Sequence, residues 1–434
     1  MKDHPKLLFA DKHKKVYDLP GVHAAGMKGG EFFRLDESEL IALPPDSEIF
    51  MVPDRMPVGY DSLTSDLTTL ECNPFSRKKE PIYAVAAFVA PGYSVLYNSA
   101  YTEMDNAGAL PLFCYSAVAF HKGGFYVPAV KVDLEKRQVL RYMDMDLIKK
   151  NVKAFRRLLP GNRLARHLEI CALIYGCPAA KNFFQHKYEG PLPTSPKCNA
   201  LCLGCISFQP GKKCSVTQER IKFVPSPAEI AEVALFHLGN TDDPVVSFGQ
   251  GCEGEPLLVG DTLIETVKMI RAKTSKGVIN LNTNASRPRV IKELFTSGLD
   301  SIRVSMNSVQ KKYYELYYRP GDYRYEDVID SIKQAKAAGG FVSINYLTMP
   351  GFTDHRDEAD SLKKFLIKNG PDMIQWRNLN YDPARYFAEL GFRSKKPDML
   401  GIDKVIDSVA AEFPGVMKGY FNPSKGRIKR FRDK

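Results

Sequence analysis

The chain has 434 residues, 44% hydrophobic and 26% charged, with a formal net charge of +11. That length exceeds one simple core and suits two domains of an ordinary globular protein. The opening MKDHPKLLFADKHKK has no apolar run of signal-peptide length, and no stretch approaches the ~18 apolar residues of a membrane span, so no membrane partner and a cytoplasmic protein are expected.

Residues 1–145 read as a β-rich accessory domain. Ile82–Ala90 and Pro111–Phe120 are apolar, aromatic and β-branched runs, and Lys122-Gly123-Gly124 after the second predicts a hairpin into Phe125–Val132. Residues 146–190 read as a helical connector. Leu147, Ile148, Val152, Phe155 and Leu159 recur at helical spacing, and a second stretch carries Leu164, Leu168, Cys171 and Ile174. Cys171 and Cys177 lie six apart, either as ligands of a further centre or as two partly buried thiols.

The chain's most informative stretch is CNALCLGCISFQPGKKC, Cys198 to Cys214. Cys198, Cys202 and Cys205 fall at C-x3-C-x2-C, a spacing that random placement of the chain's cysteines gives only ~0.004 times per chain. Thiolates this close serve a soft metal centre. A zinc site needs a fourth protein ligand, which Cys214 offers. An iron–sulfur cluster on three cysteines keeps one iron open.

Beyond the cysteines, strand and helix alternate. Ser226-Pro227-Ala228-Glu229 opens a helix with an N-cap, an N1 proline and an N3 glutamate. Strands are predicted at Pro244–Phe248, Val278–Asn282, Ser301–Met306, Phe341–Leu347 and Met373–Leu379. Helices run between them, one expected to be capped by Ser286. Such alternation makes a parallel sheet with helical crossovers, open or curled into a barrel, with its chemistry at the carboxyl ends of the strands. Polar residues do cluster there: Gly249–Pro256, Asn282–Asn284, Ser305–Asn307 and Thr348–Asp354.

On these features, residues 190 to about 380 resemble the radical S-adenosylmethionine (SAM) superfamily. The resemblance implies a partial (β/α)6 barrel over residues 191–382, and a C-terminal α/β extension with a basic tail over 383–434. It also implies a 4Fe–4S cluster on Cys198, Cys202 and Cys205, and SAM chelated by the open iron. An electron donor such as flavodoxin or ferredoxin would drive reductive cleavage to a 5′-deoxyadenosyl radical that abstracts hydrogen from substrate. Gly254-Glu255-Pro256 matches the family's GEP element at the methionine ammonium. Thr283-Asn284 resembles its T-N-G element, with Ala285 for glycine. Ser305 resembles the polar residue near ribose and carboxylate, and Asn282 and Asn307 are similar candidates. Met349-Pro350-Gly351 stands where the family packs adenine.

Two departures stand out. Gly204 occupies a place that is often aromatic, which leaves Phe208 as a stacking candidate. Cys252 lies inside the GEP loop as a spare thiol, a reactive group, or a ligand for another centre with Cys214. Trp376, with Arg377 and Asn380, either faces substrate or packs in the core. No cysteine follows Cys252, so a C-terminal auxiliary-cluster domain is not expected. The substrate is not readable; the charge and the Lys425–Lys434 tail admit nucleic acid, hence an RNA-modifying enzyme, or the tail is a solvated, disordered terminus. The rivals from other classes are a zinc or nucleic-acid-binding module, and an electron-transfer protein with Cys214 as fourth cluster ligand.

Overall fold

The computed structural model describes residues 4–105, 107–212 and 214–433. Residues 6–131 build an antiparallel sheet of 13 strands among the described residues. The expected hairpin is present: Ala119–His121 pairs with Gly124–Lys131, Phe120 opposite Phe125. Lys122 and Gly123 both have positive φ, 46° and 76°, which matches the twist of a two-residue hairpin turn. Only the end of the run Pro111–Phe120 is strand. Its middle touches the sheet through isolated bridges at Ser116, and the Tyr115 hydroxyl donates to the Pro111 carbonyl at 2.6 Å.

The connector forms three helices: α1 (Met145–Leu158), α2 (Arg163–Leu173) and α3 (Pro178–Phe184). Asp144 and Asn162 cap the first two by accepting backbone N–H groups. Ile148, Val152 and Phe155 bury the inner face of α1, and Phe155 packs against Phe183 and Phe236.

The second sheet has seven parallel strands in chain order: β1 (Glu189–Pro191), β2 (Val245–Phe248), β3 (Val278–Thr283), β4 (Ser301–Met306), β5 (Phe341–Thr348), β6 (Met373–Asn378) and β7 (Met417–Gly419). The crossovers are α4 (Pro227–Asn240), α5 (Gly260–Arg271), α6 (Pro288–Thr296), α7 (Lys311–Tyr318) with α8 (Tyr325–Ala337), α9 (Arg356–Asn369), and α10 (Pro383–Leu390) with α11 (Ile402–Glu412). The sheet curls into a partial barrel whose edges, β1 and β7, do not pair with each other. These two strands have three residues each, too few for a periodic signal. The others alternate by the period-2 rule. Ile279, Leu281, Ile302, Val304, Val342, Ile344 and Ile374 are apolar and buried in the core, whereas Asn280, Asn282, Arg303, Ser305, Asn345 and Arg377 are the polar alternates.

Two local expectations change, and the alternatives left open for Trp376 are decided. Ser286 does not cap α6; Arg287 is the N-cap residue and makes no side-chain cap, because the Ser286 hydroxyl accepts from Asn199 instead. Trp376 faces the core, edge-on to Tyr346 at 5.6 Å, because its place in β6 is on the apolar alternation. The basic tail is not a free arm. Lys425–Arg432 is a helix, α12, capped by Ser424, and its Arg427 pairs with Asp133 and Glu135 at 2.9 Å. α7 escaped the sequence reading, and α10–α12 were read only collectively, as part of an α/β extension over 383–434.

The two sheets are joined directly. Ser94 donates to the Trp376 carbonyl at 2.9 Å, and the Val95 N–H donates to Asn378 Oδ1 at 2.9 Å. Among the described residues, no helix is long and apolar enough to cross a membrane.

Candidate functional site

The cysteine loop follows β1 and is held from three sides. Leu201 and Leu203 donate their N–H groups to the carbonyls of Tyr318 and Tyr317 at the end of α7, both at 3.0 Å. Gln209 Nε2 donates to the carbonyls of Leu203 and Cys205 at 2.9 Å. On the third side, Gly254 and Glu255 donate to the carbonyls of Ser195 and Lys197 at 2.6 and 2.8 Å. A Cβ on Gly254 would lie 1.9 Å from the Lys197 oxygen, so only glycine permits this pairing.

Cys198, Cys202 and Cys205 converge on a cavity of about 560 Å³ at the barrel mouth. Burial pushes the Cys198 thiol up to about 11, with the Glu255 charge adding to it, and raises Cys202 well above the usual thiol range. Thiols kept protonated this way release protons when a metal binds. Arg220 donates to Ser207 Oγ at 3.0 Å and to Cys205 Sγ at 3.5 Å, which places a cation beside the third thiol. Gly204 fits because Tyr317 fills the space: a Cβ there would stand 2.8 Å from the Tyr317 hydroxyl. The aromatic ring at the cysteines therefore comes from α7. Phe208 is 45% exposed, under the Arg220 guanidinium, and does not line the cavity.

The residues expected to hold the cofactor divide into two groups. Gly254, Asn282 and Ser305 line the cavity. Glu255, Thr283 and Asn284 do not; they form a brace behind it. The Glu255 carboxylate accepts from Thr283 Oγ1 at 2.5 Å and from the Asn284 N–H at 2.8 Å, and Asn284 Nδ2 donates to Asn199 in the cysteine loop. Burial holds Glu255 up at about 7 despite these bonds. Ala285 stands at φ +59°, the left-handed conformation for which the family's glycine is suited.

Asn307 is spent on packing, donating to the Tyr313 carbonyl and the Tyr386 hydroxyl. Met349 lies in a turn against the N-terminal sheet, where its sulfur accepts from Asn98 at 3.5 Å. Cys214 points to the Leu110 carbonyl at 3.6 Å in a second cavity of about 330 Å³ with Asp382 and Arg385. It does not meet Cys252, which instead approaches Cys171 and His167.

Three residues of the site escaped the sequence reading. Glu253 is buried, and its carboxylate accepts five bonds: from Thr194 N and Oγ1, Ser195 N, Gly249 N and Gln250 N. It shapes the loop after β2, and its signal was the first glutamate in GCEGEP. Arg303 reaches the cavity from β4. Its Nη1 donates to Gln375 Oε1 at 3.4 Å, its Nε has no hydrogen-bond partner among the described residues, and burial, then the charge of Arg377, pushes it down to about 9. Asn422, past β7, bridges the open seam by donating to Glu189 on β1 at 2.8 Å and to Asn282 on β3 at 3.1 Å, while accepting from Gln375 on β6 at 3.0 Å.

Three thiols in a loop after the first strand, with a glycine–glutamate turn after the second, make a centre that can hold a polynuclear cluster beside a polar pocket. Comparison with known proteins agrees. The family model of the Radical SAM superfamily matches residues 192–362. Similar solved structures include HydG, a maturase of the FeFe-hydrogenase, at 18% identity over 58% of this chain and 54% of that one, TM-score 0.34. Native anSMEcpe with bound AdoMet is 15% identical over 52% and 62%, TM-score 0.38, and methylornithine synthase (PylB) 16% over 62% and 77%, TM-score 0.37. The chain thus spans less than two thirds of the length of the first two. No curated protein matches the sequence. Members of the superfamily use a 4Fe–4S cluster and SAM. Residues 192–362 thus carry a Radical SAM superfamily domain.

Proposed function

We propose that the protein is a radical SAM enzyme acting on a small substrate with an anionic group. Cys198, Cys202 and Cys205 would hold the 4Fe–4S cluster, and Gly254, Asn282 and Ser305 would line the SAM site. When bound, cluster and SAM supply an electron-driven cleavage that gives a 5′-deoxyadenosyl radical able to take hydrogen from substrate. The protein's part is position and charge. Arg220 sets a guanidinium beside the Cys205 sulfur. The Glu255–Thr283–Asn284 brace fixes the Gly254 loop against the cysteine loop. Tyr317, Leu347 and Leu379 give the pocket apolar wall.

The observation that carries the reading is the convergence of the three thiols and Gly254 on one cavity. Arg303 and Arg377 line the same cavity, with Glu189 and Glu253 as its acids, and Glu253 is saturated with hydrogen bonds. The unpartnered Arg303 Nε supports a carboxylate or phosphate on the bound molecule. An RNA substrate has less support, since Arg427 of the tail is paired to acids of the N-terminal sheet.

Anaerobic reconstitution tests the proposal. About four iron and four sulfide per chain, and 5′-deoxyadenosine after addition of dithionite and SAM, are expected. A colourless zinc protein, or a loaded protein that forms no 5′-deoxyadenosine, would falsify the reading. A flavodoxin or ferredoxin should replace dithionite. Arg303→Ala should keep iron loading yet weaken capture of the anionic group by about 30–100-fold, the weight of a charged hydrogen bond.

A further inference from the structure

Three chemistry-bearing side chains outside the cluster loop meet behind the cavity. His167 and Cys171 lie four apart on α2 and so share one face, with Nε2 and Sγ 3.5 Å apart. Cys252 reaches them from the loop after β2. The three donor atoms all lie within 4.8 Å of one another, and Cys171 and Cys252 are only 1% and 4% exposed.

This spacing has a chemical meaning. One ion bound at about 2.0–2.3 Å from imidazole nitrogen and thiolate sulfur brings its donors to roughly 3.5–3.8 Å from each other. A polynuclear cluster spreads its thiolates wider. Two thiolates and an imidazole are soft to borderline donors, which select zinc-type ions over magnesium or calcium. The site is anchored on both sides. α2 is fixed to α4 by Asn162, which donates to the Glu229 carbonyl and the Glu232 carboxylate. The Cys252 loop is fixed by the Glu253 carboxylate and by the bond from the Ile221 N–H to the Cys252 carbonyl at 2.8 Å. Cys177 is tied to the same segment, its N–H donating to the Cys171 carbonyl at 2.9 Å.

We propose that His167, Cys171 and Cys252 bind a single zinc-class ion that fastens α2 to the loop carrying Glu253 and Gly254. The ion takes two thiolates and one neutral imidazole, and the displaced thiol protons pass to solvent. Its work is positional: it fixes the residue two places before Gly254, and so the close contact of Gly254 with the cysteine loop.

Cobalt titration of the full-length, cluster-free, thiol-reduced protein under argon tests this, and its readout is independent of any radical reaction. In the Cys198→Ala/Cys202→Ala/Cys205→Ala background, which removes the competing thiols of the cysteine loop, one equivalent of Co²⁺ should bind with a thiolate charge-transfer band in the near ultraviolet. Cys171→Ser and Cys252→Ser should each abolish that band. His167→Ala, which alters only a half-buried position on α2, should keep the native melting profile and weaken binding at least tenfold. Cys72→Ser should change nothing. The proposal is overturned if no cobalt binds in that background, or if peptide mapping finds a Cys171–Cys252 disulfide under these reducing conditions.

Discussion

The molecule gathers thiols in two places, and they are built in opposite ways. Cys198, Cys202 and Cys205 come from one loop of eight residues and face a cavity. Cys171 and Cys252 come from segments 81 positions apart and meet inside the packing, with His167 beside them. A short loop with open space in front can accept a bulky group and a second molecule. A closed junction between a helix and a loop has room for one ion and fixes two elements to each other. On the two proposals, the first centre would do chemistry and the second would hold geometry.

The sharpest way to break this contrast is to exchange the losses. Cys202→Ala should reduce iron from about four per chain to near zero and remove 5′-deoxyadenosine formation, whereas Cys171→Ala should leave most of the iron in place; anaerobic metal analysis decides both. Gly254→Ala strikes between the two groups. Its methyl would sit 1.9 Å from the Lys197 oxygen, and the backbone shift should cost about 3 kcal/mol or more and impair iron loading, read by urea unfolding and iron content.

A third test addresses the packed side alone. His237 on α4 is fully buried, stacked on Phe183 at 5.5 Å, and burial holds its imidazole down at about 4. The unfolded chain binds this proton near pH 6.5, the folded chain only near 4. Stability from neutral His237 is therefore complete above about pH 6.5 and is lost as the pH falls toward 4, by about 3 kcal/mol over the window. His237→Phe should flatten that part of the stability–pH curve. The smallest effect belongs to Glu229, held down at about 2 chiefly by its hydrogen bond from Arg163. Its contribution is present above the usual glutamate range near 4.5 and fades as pH falls toward 2. Because Arg163 is half exposed, Glu229→Gln should cost only about 1 kcal/mol at pH 7 by thermal melt.

Much of the barrel was legible because its signals are local. β2–β6 are apolar runs bounded by turns, and the Ser226–Glu229 capping box forms as read. The N-terminal sheet was legible only as β-rich: many of its strands have three or four residues, and their pairing depends on partners far away in the chain. In the site, the thiols and Gly254 announced themselves by spacing. Glu255, Thr283 and Asn284 were found as a group, but their mutual bonds turn them away from the pocket, and no spacing encodes that. Arg303 and Asn422 were missed for the same reason. Arg303 acquires meaning only when the register sets it beside Asn282 and Ser343, and Asn422 only when the sheet curls.

Asn422 has a consequence for how the protein is completed. Its bonds to Glu189 and Asn282 join residues 233 and 140 positions apart. Closing loops of that length is entropically costly before any contact repays it, so this junction forms late. Until it does, a nearly finished barrel stands unlatched along the seam between its first and seventh strands. Hydrogen bonds of side chains make the latch, at Glu189, Ser247, Asn282 and Gln375 and from Arg137 to the Asn422 carbonyl, so opening it leaves every ladder of the sheet intact. A seam closed by side-chain bonds can thus open the lumen from the side without unzipping a strand pair.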